Sequence, residues 1–127
     1  MLAVALVFIG GGIGSAARHG MNVLCARLFG LDFPWGTFAV NLIGSFAIGW
    51  LAAYFAFRAG ADWTQSARLF LVTGILGGFT TFSSFSLDFA MLFERGATVP
   101  AMLYVAGSVG ISLAAIFLGL YVGRVIG

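Results

Sequence analysis

Charge falls at only a few points along this chain, and long apolar runs lie between them. Residues 1–17, 33–57, 69–87 and 96–123 contain no Asp, Glu, Lys or Arg. A helix needs ~20 apolar residues to cross the hydrocarbon core of a bilayer. The pattern therefore predicts four membrane-spanning helices: Leu2 to about Phe29, Phe33 to Phe57, Leu69 to Phe93, and Gly96 to Gly123. Gly30-Leu31-Asp32 and Glu94-Arg95-Gly96 read as turns, and Arg58 to Arg68 as a surface loop. Pro34 suits the start of the second helix, where its missing N–H has no partner to lose, and Trp35 suits the headgroup level.

The third run is the least uniform. Adjacent Gly77 and Gly78 sit in its middle, hydroxyl residues follow, and Phe79, Phe82 and Phe85 recur at every third position. Glycine costs ~1 kcal/mol against Ala inside a helix. Non-helical backbone at membrane depth is tolerated only against protein or a polar cavity. The expectation is a helix broken near Gly77-Gly78 that lines an ion path, with the three rings stacked along one side.

Composition makes the membrane assignment firm. The chain is 61% hydrophobic and 8% charged, against ~25% charged in soluble domains. Its 127 residues form one four-helix domain, residues 1–127, of an all-α membrane protein. The net charge of +2, from six Arg, no Lys and four acids, is too small and dispersed for a nucleic-acid partner. Cys25, the single cysteine, has no internal disulfide partner. The first apolar run is not expected to be a signal peptide, because no basic segment precedes it.

Four spans put both termini and the central loop on one side. Arg58, Arg68 and Arg124 fall there; Arg27 and Arg95, with Arg18 if it is counted, fall on the other. The positive-inside rule then gives almost no orientation. The chain is expected to insert both ways, so that two opposed copies resemble the inverted repeats of transporters.

The polar side chains within the spans narrow the chemistry. Ser15, Arg18, His19 and Asn22 share one face of the first helix. Arg18 reads either as a side chain snorkelling to the interface or as an anion-attracting charge in a wet vestibule. Asn41, in the second span, reads either as interhelical glue or as a donor to a passing anion. Tyr104, Ser108 and Ser112 share a face of the fourth span, and Ala106, Gly110 and Ala114 repeat at the same interval. The spans hold no acidic pair and no His/Glu cluster, and Gly10-Gly11-Gly12-Ile13-Gly14 lacks the preceding strand of a nucleotide loop. An enzyme is not expected. The remaining lining is neutral and rich in donors, which suits conduction because binding stays weak enough for exit. Aromatic rings carry a positive edge, so Phe82 and Phe85 either pack conventionally or offer ring edges to a small anion.

Phe33-Pro34-Trp35-Gly36-Thr37 through Asn41-Leu42-Ile43-Gly44-Ser45, and the stretch from Thr73 to Ser86, resemble the Fluc (CrcB) fluoride channels of bacteria. The resemblance spans essentially the whole chain. Ser84 stands where that family usually has Thr, and Asp88 where it often has Glu. The resemblance implies a dual-topology antiparallel homodimer in the bacterial plasma membrane, with two pores for passive fluoride export. It implies ring-edge coordination by Phe82 and Phe85, donors at Asn41 and Ser108, Tyr104 beside the path and Arg18 as the vestibule arginine. It further implies a structural sodium ion held by the backbone carbonyls of Gly77 and Thr80. The rival is a small dual-topology multidrug or cation exporter, which needs a carboxylate in the first span. None is present there.

Overall fold

A computed structural model describes residues 1–58 and 60–126. Helix α1 covers Leu2–Phe29 and α2 covers Trp35–Ala56. The third span is composite. It starts as α3, Thr64–Arg68, continues through a π-helical segment, Leu69–Leu76, and closes its first half with α4, Gly77–Phe79. After an interruption, α5 covers Ser83–Glu94, and α6 covers Thr98–Ile126. All four spans are long and apolar enough to cross a membrane.

Two boundaries differ by more than two residues from the sequence-based expectation. The third span begins at Thr64, inside the stretch read as a loop. There the Thr64 N–H donates to the Ala61 carbonyl at 3.2 Å and the Thr64 hydroxyl donates to the Arg58 carbonyl. These bonds start the helix before the apolar run does. Ala59, in the remaining loop, and Gly127 lie outside the described residues. Helix α6 runs three residues past Gly123, to Ile126, with Arg124 in its last turn, where a cation suits the helix dipole. Pro100 is accommodated in the first turn of α6, where its N–H would have no intrahelical partner.

The spans pair through glycine. A Cβ on Gly14 of α1 would collide with the Ile75 carbonyl, and one on Gly78 would come within 2.5 Å of the Gly11 carbonyl oxygen. On the opposite side, a Cβ on Gly119 of α6 would collide with the Phe46 carbonyl of α2. Gly14 and Gly78 thus bring two backbones together, as small-residue motifs do in membranes. In both pairs the contacts advance in the same direction along the two chains: Gly10 with Phe70 and Gly14 with Ile75, then Gly49 with Ile116 and Gly123 with Trp50. Odd spans run parallel to each other, as do even spans, which is what an up-and-down order of four crossings requires.

A cluster of buried residues sits at one end. Leu92, Ala101 and the fully buried Tyr104 form it, with Phe33, Phe38, Phe85 and Phe89 packed around. Phe33 meets Tyr104 edge to face, with centroids 5.4 Å apart. In no span is more than 28% of the apolar window buried within the single chain. Ala106, Gly110 and Ala114 all face outward.

Candidate ion pathway

The interruption of the third span is built from hydrogen bonds that leave the helical pattern one residue at a time. The Leu76 carbonyl still accepts the Thr80 N–H at 3.0 Å, and the Thr80 hydroxyl donates to the same oxygen at 2.9 Å. Thr80 itself is extended, with φ −86° and ψ 157°. The next N–H, of Thr81, would return to Gly77 in a continuous helix. It donates instead to Oδ1 of Asn41 at 2.8 Å, while Nδ2 of Asn41 donates to the Thr81 carbonyl at 2.9 Å. The Ser84 N–H, which would return to Thr80, donates to Oγ1 of Thr81 at 3.2 Å. That bond satisfies one of the orphan donors at the start of α5.

The break therefore lies at Thr80-Thr81, just beyond the double glycine. Gly77 and Gly78 remain helical, and it is Gly78 that approaches α1 closely. The displacement also corrects the picture of three stacked phenylalanines. Extended backbone separates Phe79 from Phe82, so only Phe82 and Phe85 pair, with ring centroids 5.6 Å apart.

A cleft of about 400 Å³ opens beside the break, lined by Asn41, Ser45, Thr80, Thr81, Phe82, Phe85, Ser108, Val109, Ser112 and Leu113. Four of the expected pathway residues, Asn41, Phe82, Phe85 and Ser108, meet here. Phe82 is 78% exposed within the single chain. Ser108 is buried, and its hydroxyl has no hydrogen-bond partner among the described residues. Asn41 ties two spans together through its carboxamide, which bonds the Thr81 backbone, and the residue also lines the cleft. The amide nitrogen carries two hydrogens, and Thr81 takes one.

Tyr104 does not line this cleft. It stands behind Phe85, with ring centroids 5.0 Å apart, and its hydroxyl donates to Oδ2 of Asp88 at 3.2 Å. Asp88 lines a second cleft of about 360 Å³ near the α1–α2 turn, together with Asn22, Thr37, Ser84 and Arg95. Arg95 donates to the Asp32 carbonyl there, tying the two turns at that end together. Arg18 is half-buried on α1 and lines neither cleft. Val109 and Leu113, which complete the apolar wall of the first cleft, carried no distinguishing mark in the sequence.

Four apolar spans, the third of them broken, with a neutral donor-bearing cleft at the break, define a small multi-pass membrane protein. Residues 5–120 match the family described as CrcB-like protein, Camphor Resistance (CrcB). The chain is 54% identical over 124 residues to a fluoride-specific ion channel FluC of Agrobacterium fabrum, covering 98% of each chain. A protein of the same name from Methylobacterium nodulans is 52% identical over 127 residues, covering 100% of each. One from Nitrobacter hamburgensis, fluoride-specific ion channel FluC 2, is 52% identical over 119 residues, covering 94% of each. The chain belongs to the CrcB family.

Proposed function

We propose that this protein is a fluoride-selective channel that lets the ion leave the cytoplasm passively. The observation that carries the reading is the cleft lined by two phenylalanine rings and by Ser108, whose buried hydroxyl has no partner among the described residues. Ring edges and a serine O–H both present positive charge, and neither is a formal cation, so a small anion is held weakly enough to move on. The names of the relatives, each a fluoride-specific ion channel, support the identity of that anion.

The working unit is an antiparallel homodimer. Exposed Phe82 and the outward stripe of Ala106, Gly110 and Ala114 give a second copy both a ring to cover and a close-packing surface. The near-equal arginine counts at the two ends support insertion in both orientations. A structural sodium ion completes the unit. Gly77 and Thr80 are the residues whose usual i+4 donors, Thr81 and Ser84, are turned to Asn41 and to Thr81 Oγ1. Their neutral, hard carbonyl oxygens fit a monovalent hard cation, much as carbonyls replace hydration in cation filters. When bound, sodium would balance these dipoles where no bulk water reaches them.

The deciding experiment is efflux from liposomes loaded with purified protein. Fluoride should leave at least about a hundredfold faster than chloride, equivalent to ~2.7 kcal/mol of discrimination. Equal rates for the two halides, or flux of an organic cation in exchange for protons, would overturn the assignment.

A further inference from the structure

We propose that Asn41 is a positioning residue: by holding both the N–H and the carbonyl of Thr81, it keeps the third span broken and leaves the Gly77 carbonyl without its helical donor. The bonds are 2.8 and 2.9 Å long and join residues 40 positions apart, on different spans. A carboxamide is the neutral side chain that carries a donor and an acceptor side by side. In hydrocarbon both backbone groups of Thr81 need partners. Without the amide, the nearest remedy for the Thr81 N–H is the helical one, the Gly77 carbonyl. That bond would draw Thr80-Thr81 back toward helix and take up the oxygen that the break sets free.

The neighbouring contacts agree. The methyl Cγ2 of Thr80 fills the space over Gly44, one turn along α2 from Asn41. The break is thus seated on α2 at two points, one polar and one apolar. Thr81 also passes the constraint on, because its hydroxyl accepts the N–H of Ser84 at the start of α5. From there Phe85 is one residue further along the same helix. Asn41 therefore acts on the geometry of the cleft through backbone, in addition to lining it.

The extension to the Gly77 carbonyl as a sodium ligand rests on the proposed function; the hold on Thr81 does not. Full-length protein labelled with ¹³C would be compared as wild type, Asn41→Leu and Asn41→Asp, with Ser108→Ala as control. The ¹³Cα and ¹³C′ shifts of Thr80 and Thr81 should be extended in wild type and in Ser108→Ala. They should move toward helical values in Asn41→Leu. Asn41→Asp, which keeps an acceptor for the N–H and loses the donor, should fall between, and supplies the same reading if Asn41→Leu does not fold. The sodium concentration that half-stabilises the dimer should rise about tenfold or more in Asn41→Leu, corresponding to ~1.4 kcal/mol, and stay unchanged in Ser108→Ala. Extended shifts in both Asn41 variants would overturn the proposal and leave Asn41 a pathway donor only. Wild-type sodium dependence in Asn41→Leu would overturn its reach to the Gly77 carbonyl. A wild-type dimer indifferent to sodium would instead sink the sodium site, while the carbon shifts still decide the hold on Thr81.

Discussion

The ring of Phe85 lies 5.0 Å from that of Tyr104, centroid to centroid, at an interplanar angle of 44°. Tyr104 is fully buried, so the aromatic core braces one side of Phe85 while its other side lines the cleft. Phe85→Ile keeps bulk and apolarity and removes the ring quadrupole, at a packing cost of ~0.5–1.5 kcal/mol. The variant should remain a folded dimer by gel filtration, with fluoride efflux reduced about tenfold or more, the equivalent of ~1.4 kcal/mol of lost ion stabilisation. Efflux near the wild-type rate would reduce Phe85 to a packing residue.

Ser108 offers a cleaner separation of function from stability. Its buried hydroxyl has no partner among the described residues, so removing it relieves an unsatisfied group. Ser108→Ala should leave the melting temperature unchanged or slightly raised, and lower fluoride efflux. A stability loss above ~1 kcal/mol would mean the hydroxyl is bonded within the fold after all.

The adjacent glycines should respond differently to alanine. A methyl at Gly78 would meet the backbone of Gly11 at 2.5 Å, whereas one at Gly77 meets only the Val72 carbonyl, at an ordinary 3.6 Å. Gly78→Ala should destabilise the fold by ~1–3 kcal/mol, as overpacking does. Gly77→Ala should preserve the fold of the chain. Equal losses of thermal stability would show that the α1 contact is not what fixes Gly78.

Orientation can be read from a cysteine added at the C-terminus of a Cys25→Ala background. An impermeant thiol reagent should label it from both faces of the membrane, and labelling from one face alone excludes mixed insertion. Two or three lysines placed in residues 60–63 should bias insertion to one orientation. If the working dimer is antiparallel, efflux should then collapse, and co-expression with an oppositely biased copy should restore it.

Sodium, in the role proposed for it, holds the dimer and does not move with fluoride. Reversing a sodium gradient at a fixed fluoride gradient should leave the direction of fluoride flux unchanged. Uphill fluoride movement with sodium would make this a coupled transporter.

Much of the architecture was legible because burial in lipid writes itself as uninterrupted apolarity. The four spans and the existence of a break followed from that, with the first span matched from Leu2 to Phe29. The break's position did not follow, because a glycine pair marks either loose backbone or close approach, and only the neighbouring helix says which. Here α1 takes Gly78, and the chain leaves the helix two residues later, at Thr80. The start at Thr64 was hidden by Arg68 and Asp62, whose charges look like loop though α3 turns Arg68 to its exposed side. The bond between Asn41 and Thr81 spans 40 residues, and no local pattern announces it.

Breaking one helix inside a membrane also creates two new poles. The first half ends at Phe79, where its carbonyls give a negative end; the second begins at Ser83, where N–H groups without intrahelical partners give a positive one. Each end of a helix is worth roughly half an elementary charge, and low dielectric leaves it poorly screened. The positive pole lies beside Phe82 and Phe85, on the side where the anion is proposed to pass. The negative pole carries Gly77, proposed to hold the cation together with the extended Thr80 just beyond it. A single three-residue gap can thus sort ions of opposite sign to its two flanks without any charged side chain in the cleft.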